Sequence, residues 1–262
     1  MQTEAIPGLP DHVVVARVLT FLVDPADLAR FKTVSRATRD AVVATNRGVR
    51  ELEEQEAAEL GCLDALRRLE RRGLLDKRHF CSVAAGSGHL HVLKWGREIG
   101  CPWDAWTCAA AAWGGHLEML RFLRTRGCPW DARTSAAAAI HEDLRLLEFV
   151  HRNGCAWSKY TCANAASVGN LNALRYAREH FCPWNEWTCF AAAERGHAEV
   201  LRWAKANDAP WDERTAVMGA RGGHEEAHLE VLTWLRAETI CPYDDRICRA
   251  AANAGARYVV DG

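Results

Sequence analysis

The chain has 262 residues, 49% of them hydrophobic, with 33 basic and 34 acidic side chains and a formal net charge of −1. That much apolar material excludes disorder as the default state and suffices for a substantial core. The even charge balance lacks the broad electrostatic footprint of a nucleic-acid or membrane-surface binder, so neither nucleic acid nor membrane is expected as a partner.

Met1 to Pro10 lack the basic start and apolar run of a signal peptide, and no stretch of about 18 apolar residues occurs. An intracellular protein is expected. Residues 1–8 read as a tail. Residues 9–42 contain Leu9-Pro10-Asp11, Val18-Leu19-Thr20-Phe21-Leu22, Asp24-Pro25-Ala26-Asp27-Leu28 and Val34-Ser35-Arg36. Proline at an entry, a break at Asp24-Pro25 and apolar residues at helical spacing predict a bundle of three short helices. That reading alone assigns no function.

The same motifs, in the same order, resemble an F-box, the module that docks substrate receptors on the Skp1-like adaptor of cullin-RING ubiquitin ligases. Two positions depart from the family: Thr38 stands where a Trp is frequent, and Thr20-Phe21 where Ser-Tyr is common. The resemblance implies that Leu9, Pro10, Leu22, Leu28 and Val34 supply the apolar contact with the adaptor. The other reading of this segment is an unrelated bundle that caps the repeats. If the segment is an F-box, residues 43–51 are the linker that joins it to the first helix pair.

From residue 52 onward the sequence repeats. Cys101-Pro102-Trp103 recurs as Cys128-Pro129-Trp130, Cys155-Ala156-Trp157, Cys182-Pro183-Trp184, Ala209-Pro210-Trp211 and Cys241-Pro242-Tyr243, in steps of 27 residues except a last step of 32. A second marker keeps register: Ala84-Ala85 to Gly88-His89, Ala111-Ala112 to Gly115-His116, Ala192-Ala193 to Gly196-His197, and Gly219-Ala220 to Gly223-His224, with weaker copies from Ala57, Ala138, Ala165 and Ala251.

Each period carries the signals of two short helices. Asp104, Asp131, Ser158, Asn185, Asp212 and Asp244 follow the aromatic residue and are good N-caps. The Ala-Ala pair lies in a first helix whose small side chains permit close approach, and the glycine after it ends that helix. Leu117 to Leu123 then place apolar residues on one stripe of a second helix. One such unit cannot bury its apolar face, so the units must stack. The expected fold is all-α: a solenoid over residues 52–262 of about seven helix pairs and an incomplete last unit.

Gly115-His116, Leu120 and Gly127-Cys128, with Ala111-Ala112, resemble the ankyrin pattern at matching offsets. The period is shorter than the family's value of about 33 residues, and Thr107-Cys108 occupies the region of its Thr-Pro-Leu-His signature. A full β-hairpin finger between units is therefore not expected. The Cys-Pro-Trp variety resembles ankyrin-like repeats of large DNA viruses of protists. That resemblance implies a viral protein acting inside its host, in cytoplasm or nucleus.

The cysteines form two ladders, 101/128/155/182/241 and 81/108/162/189/248, with Cys62 outside both. Their spacing is not that of a zinc site, and Ser135, Ala209 and Ala216 replace them without harm to a core position, so they are read as small buried hydrophobes. His89, His116, His197 and His224 are read as hydrogen-bonding residues of the turn. No phosphate loop, HExxH pair or nucleophile elbow is present, so no catalytic residue, metal or cofactor is expected. The Trp ladder is read as loop core over the seams between units. One position varies while its surroundings repeat: Trp106, Arg133, Tyr160, Trp187, Arg214 and Arg246. Trp, Tyr and Arg are the residue types of binding hot spots. The row is either the surface that contacts a target protein or a set of side chains covering neighbouring loops.

The expected function is thus protein–protein interaction, as a substrate receptor that brings an unidentified target to a ubiquitin ligase. The rival readings are a scaffold without any ligase link and a decoy of the host adaptor.

Overall fold

The computed structural model describes residues 53–77 and 79–211, together with Thr215, Val217, Glu230, Val231 and Trp234. The F-box-like segment, with Leu9, Pro10, Leu22, Leu28 and Val34, lies outside the described residues, as do Arg214 and Arg246. The chain divides into two compact units, Met1–Trp103 and Asp104–Gly262. Among the described residues there are twelve α-helices and no strand, and no helix is long and apolar enough to cross a membrane.

The first unit holds α1 (Glu54–Glu59), α2 (Leu63–Arg71), α3 (Phe80–Gly86) and α4 (Leu90–Glu98). Helix α1 packs on α3, and each pairs with the helix that follows it. Leu66, Phe80, Val92 and Leu93 fill the core, while Arg67, Arg68, Arg71 and Arg72 lie on the solvated face of α2. The second unit holds four pairs: α5 (Ala105–Trp113) with α6 (Leu117–Thr125), α7 (Ala132–Ala138) with α8 (Leu144–Arg152), α9 (Lys159–Ser167) with α10 (Leu171–Glu179), and α11 (Glu186–Glu194) with α12 (Ala198–Ala206). The first helices α5, α7, α9 and α11 lie side by side in an unbroken row. They can approach because their facing residues are small: Ala111, Ala112, Ala138, Ala165, Ala166, Ala192 and Ala193 are all fully buried.

The anticipated caps set the register. Asp104 accepts from the amides of Trp106 and Thr107, and Asp131 from that of Arg133. The Ser158 amide donates to Thr161 Oγ1 at 3.4 Å, whereas Asn185 holds the cap position without a side-chain cap bond. All nine described cysteines are buried and unbridged. Those of the Cys-Pro-Trp ladder also bond: the thiols of Cys128, Cys155 and Cys182 donate to the carbonyls of Asp104, Asp131 and Ser158 at 3.4, 3.2 and 3.4 Å. A cysteine there is a hydrophobe with one weak donor that ties its loop to the cap of the preceding unit.

The histidines do more than brace their own turn. His89 Nε2 bonds Glu59 O at 2.8 Å, and His197 Nε2 bonds Ser167 O at 3.2 Å, each reaching the end of the preceding first helix. Helix-terminal carbonyls lack an intrahelical partner, and these struts supply one across units. Asn170 takes the same position with bonds to Ala139 O and His141 O. Where the repeat has Asp143, the strut comes from His141, whose Nε2 bonds Ala112 O at 2.8 Å.

Candidate binding surface

The first-helix row of the second unit carries the exposed aromatics. Trp106, Tyr160 and Trp187 begin α5, α9 and α11 and remain 58%, 57% and 50% exposed. For residues of such size that exposure leaves much apolar surface facing solvent. Arg133, the corresponding residue of α7, places its guanidinium carbon 4.0 Å above the Trp106 ring and pairs with Asp131 at 2.6 Å. The Arg133 guanidinium holds the Asp131 carboxyl below the usual carboxylate range through a direct hydrogen bond. Lys159 Nζ lies 5.6 Å from the Tyr160 ring centre, and Trp187 rests edge-on against the buried Phe190 at 5.5 Å.

The structure adds Trp113, which the sequence reading did not single out. It is 63% exposed and sits seven residues after Trp106 on α5, so both indoles share one helix face. The spacing of two turns was the available signal. The face therefore extends along the helices as well as across them.

A second recurring constellation lies in the loops and was also missed. Arg97, Arg124 and Arg178 stack over Trp103, Trp130 and Trp184 at 4.2, 4.1 and 4.1 Å and donate to the carbonyls of Cys101, Cys128 and Cys182. Lys205 covers Trp211 at 4.5 Å, and His151 stacks on Trp157 at 4.7 Å. The five positions are spaced by 27 residues, but three residue types occupy them, which hid the row. Trp130 also meets Phe149 of the next second helix edge-on, and Trp184 meets Trp203. At Trp130 and Trp184 the ladder thus packs the loop against the second helix that follows.

Two of the thiols, Cys155 and Cys189, are not poised for chemistry. Burial raises the pKa of Cys155 to about 11 and that of Cys189 to about 12, so both stay protonated near neutral pH. Among the described residues no three His, Cys, Asp or Glu side chains come together as a metal site.

No protein-family model matches the chain, and no curated protein does. Two solved structures of the pentatricopeptide repeat protein PPR10, each in complex with an 18-nucleotide psaJ RNA element and one with cysteines replaced by serine, are similar to it. Both align with a TM-score of 0.46 and 12% identity over 93% of this chain and 48% of theirs. The chain thus spans about half the length of the structures it matches. The exclusion of nucleic acid drawn from the charge balance is corrected on this finding, since those helical-repeat proteins are held on RNA. The physical reason is that a net charge sums the whole surface and decides nothing about one face.

Proposed function

We propose that the protein is a helical-repeat binding scaffold whose ligand surface is the first-helix row of Trp106, Arg133, Tyr160 and Trp187, extended by Trp113. The observation that carries this reading is the contrast between the two Trp ladders. The loop tryptophans are each covered by a cation or an imidazole, whereas the row aromatics remain half-exposed, Trp106 even with the Arg133 guanidinium over its ring. Large amphipathic side chains on rigid helices lose little entropy on binding and serve as anchors. The scaffold acts by holding a partner, with no bond made or broken at its own side chains.

Selection of a displayed peptide library on the full chain tests the proposal. Selected ligands are expected to lose at least about tenfold in affinity on Trp106→Ala or Trp187→Ala, a typical hot-spot loss. Ligands indifferent to the substitutions at 106, 160 and 187, with helicity and melting unchanged, would overturn it.

The ubiquitin-ligase role is a separate proposal, supported by the F-box resemblance of residues 9–42 alone. Calorimetry with a Skp1-like adaptor tests it: saturable binding is expected, lost on Leu9→Ala with Pro10→Ala. An absence of heat and co-elution returns that segment to the role of an end cap.

A further inference from the structure

The binding row has a spacing, a charge and a built-in example of what it accepts. Adjacent helices pack about 8–10 Å apart, with small facing residues favouring close approach, and the first helices of the second unit meet through alanines. The row therefore offers one anchor position per helix at roughly that interval. A polyproline II segment advances about 3.1 Å per residue with three residues per turn, so one of its faces recurs about every 9 Å. An extended ligand of that kind would bring one side chain to each of positions 106, 133, 160 and 187 in turn. Such segments dock on aromatic-lined grooves because their backbone is already ordered before binding.

The charge of the face points the same way. The four first helices and their N-caps, residues 104–113, 131–138, 158–167 and 185–194, carry Asp104, Asp131, Glu186 and Glu194 against Arg133 and Lys159, with Arg195 at the C-cap of α11. A net acidic strip studded with aromatic rings attracts a cation twice, by its carboxylates and by the ring quadrupoles. Arg133 shows the mode inside the molecule: its guanidinium lies over Trp106 while its donors are taken by Asp131. Tyr160 and Trp187 are the further half-exposed rings of the row, and Glu186 is adjacent to Trp187.

We infer that the occupant of this face is a basic, proline-rich segment of a partner protein, bound as a polyproline II helix with arginines against the aromatic row. This rests on the reading of the row as the ligand surface. It names the chemistry of the ligand rather than its identity.

The test uses the full chain and labelled peptides of about twelve residues, the length that spans four helices at about 3.1 Å per residue. A repeating Pro-Pro-Arg peptide is compared by fluorescence anisotropy with Gly-Ser-Arg, which has the same charge and no preformed helix, and with Pro-Pro-Glu. A single-stranded RNA of similar length is the fourth probe. The Pro-Pro-Arg peptide is expected to bind saturably, at least about tenfold more tightly than Gly-Ser-Arg, because less order has to be imposed on it. Trp106→Ala and Tyr160→Ala are each expected to weaken it by about tenfold, and Glu186→Lys to weaken it through repulsion, with helicity unchanged. Equal binding of Gly-Ser-Arg would overturn the polyproline part, and preference for Pro-Pro-Glu or for RNA would overturn the charge part. No binding of Pro-Pro-Arg at all would overturn the inference outright. If the displayed library meanwhile yields ligands that depend on Trp106 but are neither basic nor proline-rich, the ligand surface stands and this partner class falls.

Discussion

The guanidinium of Arg124 lies 4.1 Å above the ring of Trp130 and at the same time donates to Cys128 O at 2.8 Å. One side chain thus holds the loop backbone and covers the indole that meets Phe149 of the next unit. Arg124→Met is expected to keep the packing of the stem and lose the stacking and the bond, a destabilisation of about 1–2 kcal/mol. Arg124→Lys should cost less, since Lys205 covers Trp211 in the same way. Urea unfolding of the three proteins measures the order.

His151 occupies the same position and makes it sensitive to pH. Burial, then the nearby His180 and Arg152, lower its pKa below the ordinary value of 6.5. Folding therefore favours the neutral imidazole. Its contribution is fully present above about pH 6.5 and is lost as the pH falls through the lowered folded value. Melting temperature is expected to fall on acidification through this range. His151→Arg, the residue found at 97, 124 and 178, should remove that part of the fall while keeping Trp157 covered.

The strut from His197 to Ser167 O is a directional contact across two units. His197→Ala leaves that carbonyl without its bond and is expected to cost about 1 kcal/mol or somewhat more. His197→Asn should cost less, because Asn170 already makes the equivalent contact to the Ala139 and His141 carbonyls. Thermal unfolding of both variants separates a strut from a space-filling ring, which would show no difference between them.

Phe181 stands where Gly100, Gly127 and Gly154 end the preceding second helices, with φ of 59° and 91% of its surface exposed. A bulky residue in the left-handed region is strained, and this one has little burial to offset it. Phe181→Gly is expected to stabilise by about 0.5–1 kcal/mol. Gly169→Ala should do the reverse by more than about 1 kcal/mol, since its φ is 74° and a Cβ would meet His197 Nδ1 at 2.7 Å. Equilibrium unfolding checks both signs.

Trp106→Ala removes a side chain that is 58% exposed and stacked only by Arg133 on its ring face. Stability is expected to change by no more than about 0.5 kcal/mol, so any loss of binding in this variant reports the surface and not the fold. A collapse of the melting transition would instead make the indole part of the core.

Much of the fold was legible because each signal recurs with the same neighbours. Asp104 and Asp131 cap their helices, Ala111-Ala112 is fully buried, and Cys128 and Cys155 lie in the core, as their repeated positions suggested. The row at 106, 133, 160 and 187 was visible as variation against a repeating background. Trp113 was not, because no other unit has an aromatic residue there: Ile140, Ser167 and Glu194 stand at its equivalents. The strut of His141 was equally hidden, being two residues out of step with its counterparts.

The sequence by itself determined the period, the helix limits and the small-residue seam. These depend on local backbone preference and side-chain size, which act the same way in every copy. Only the tertiary structure decided which carbonyl each His and Cys would meet, which tryptophans would be covered by Arg124 and its equivalents, and which would stay open. The His and Cys contacts join residues about 24 to 31 positions apart, and a linear pattern of residue types does not specify which atoms such stacking brings within bonding distance. The Arg–Trp pairs are close in sequence, but three residue types share the covering position and only the packed loops show that each lies over its ring.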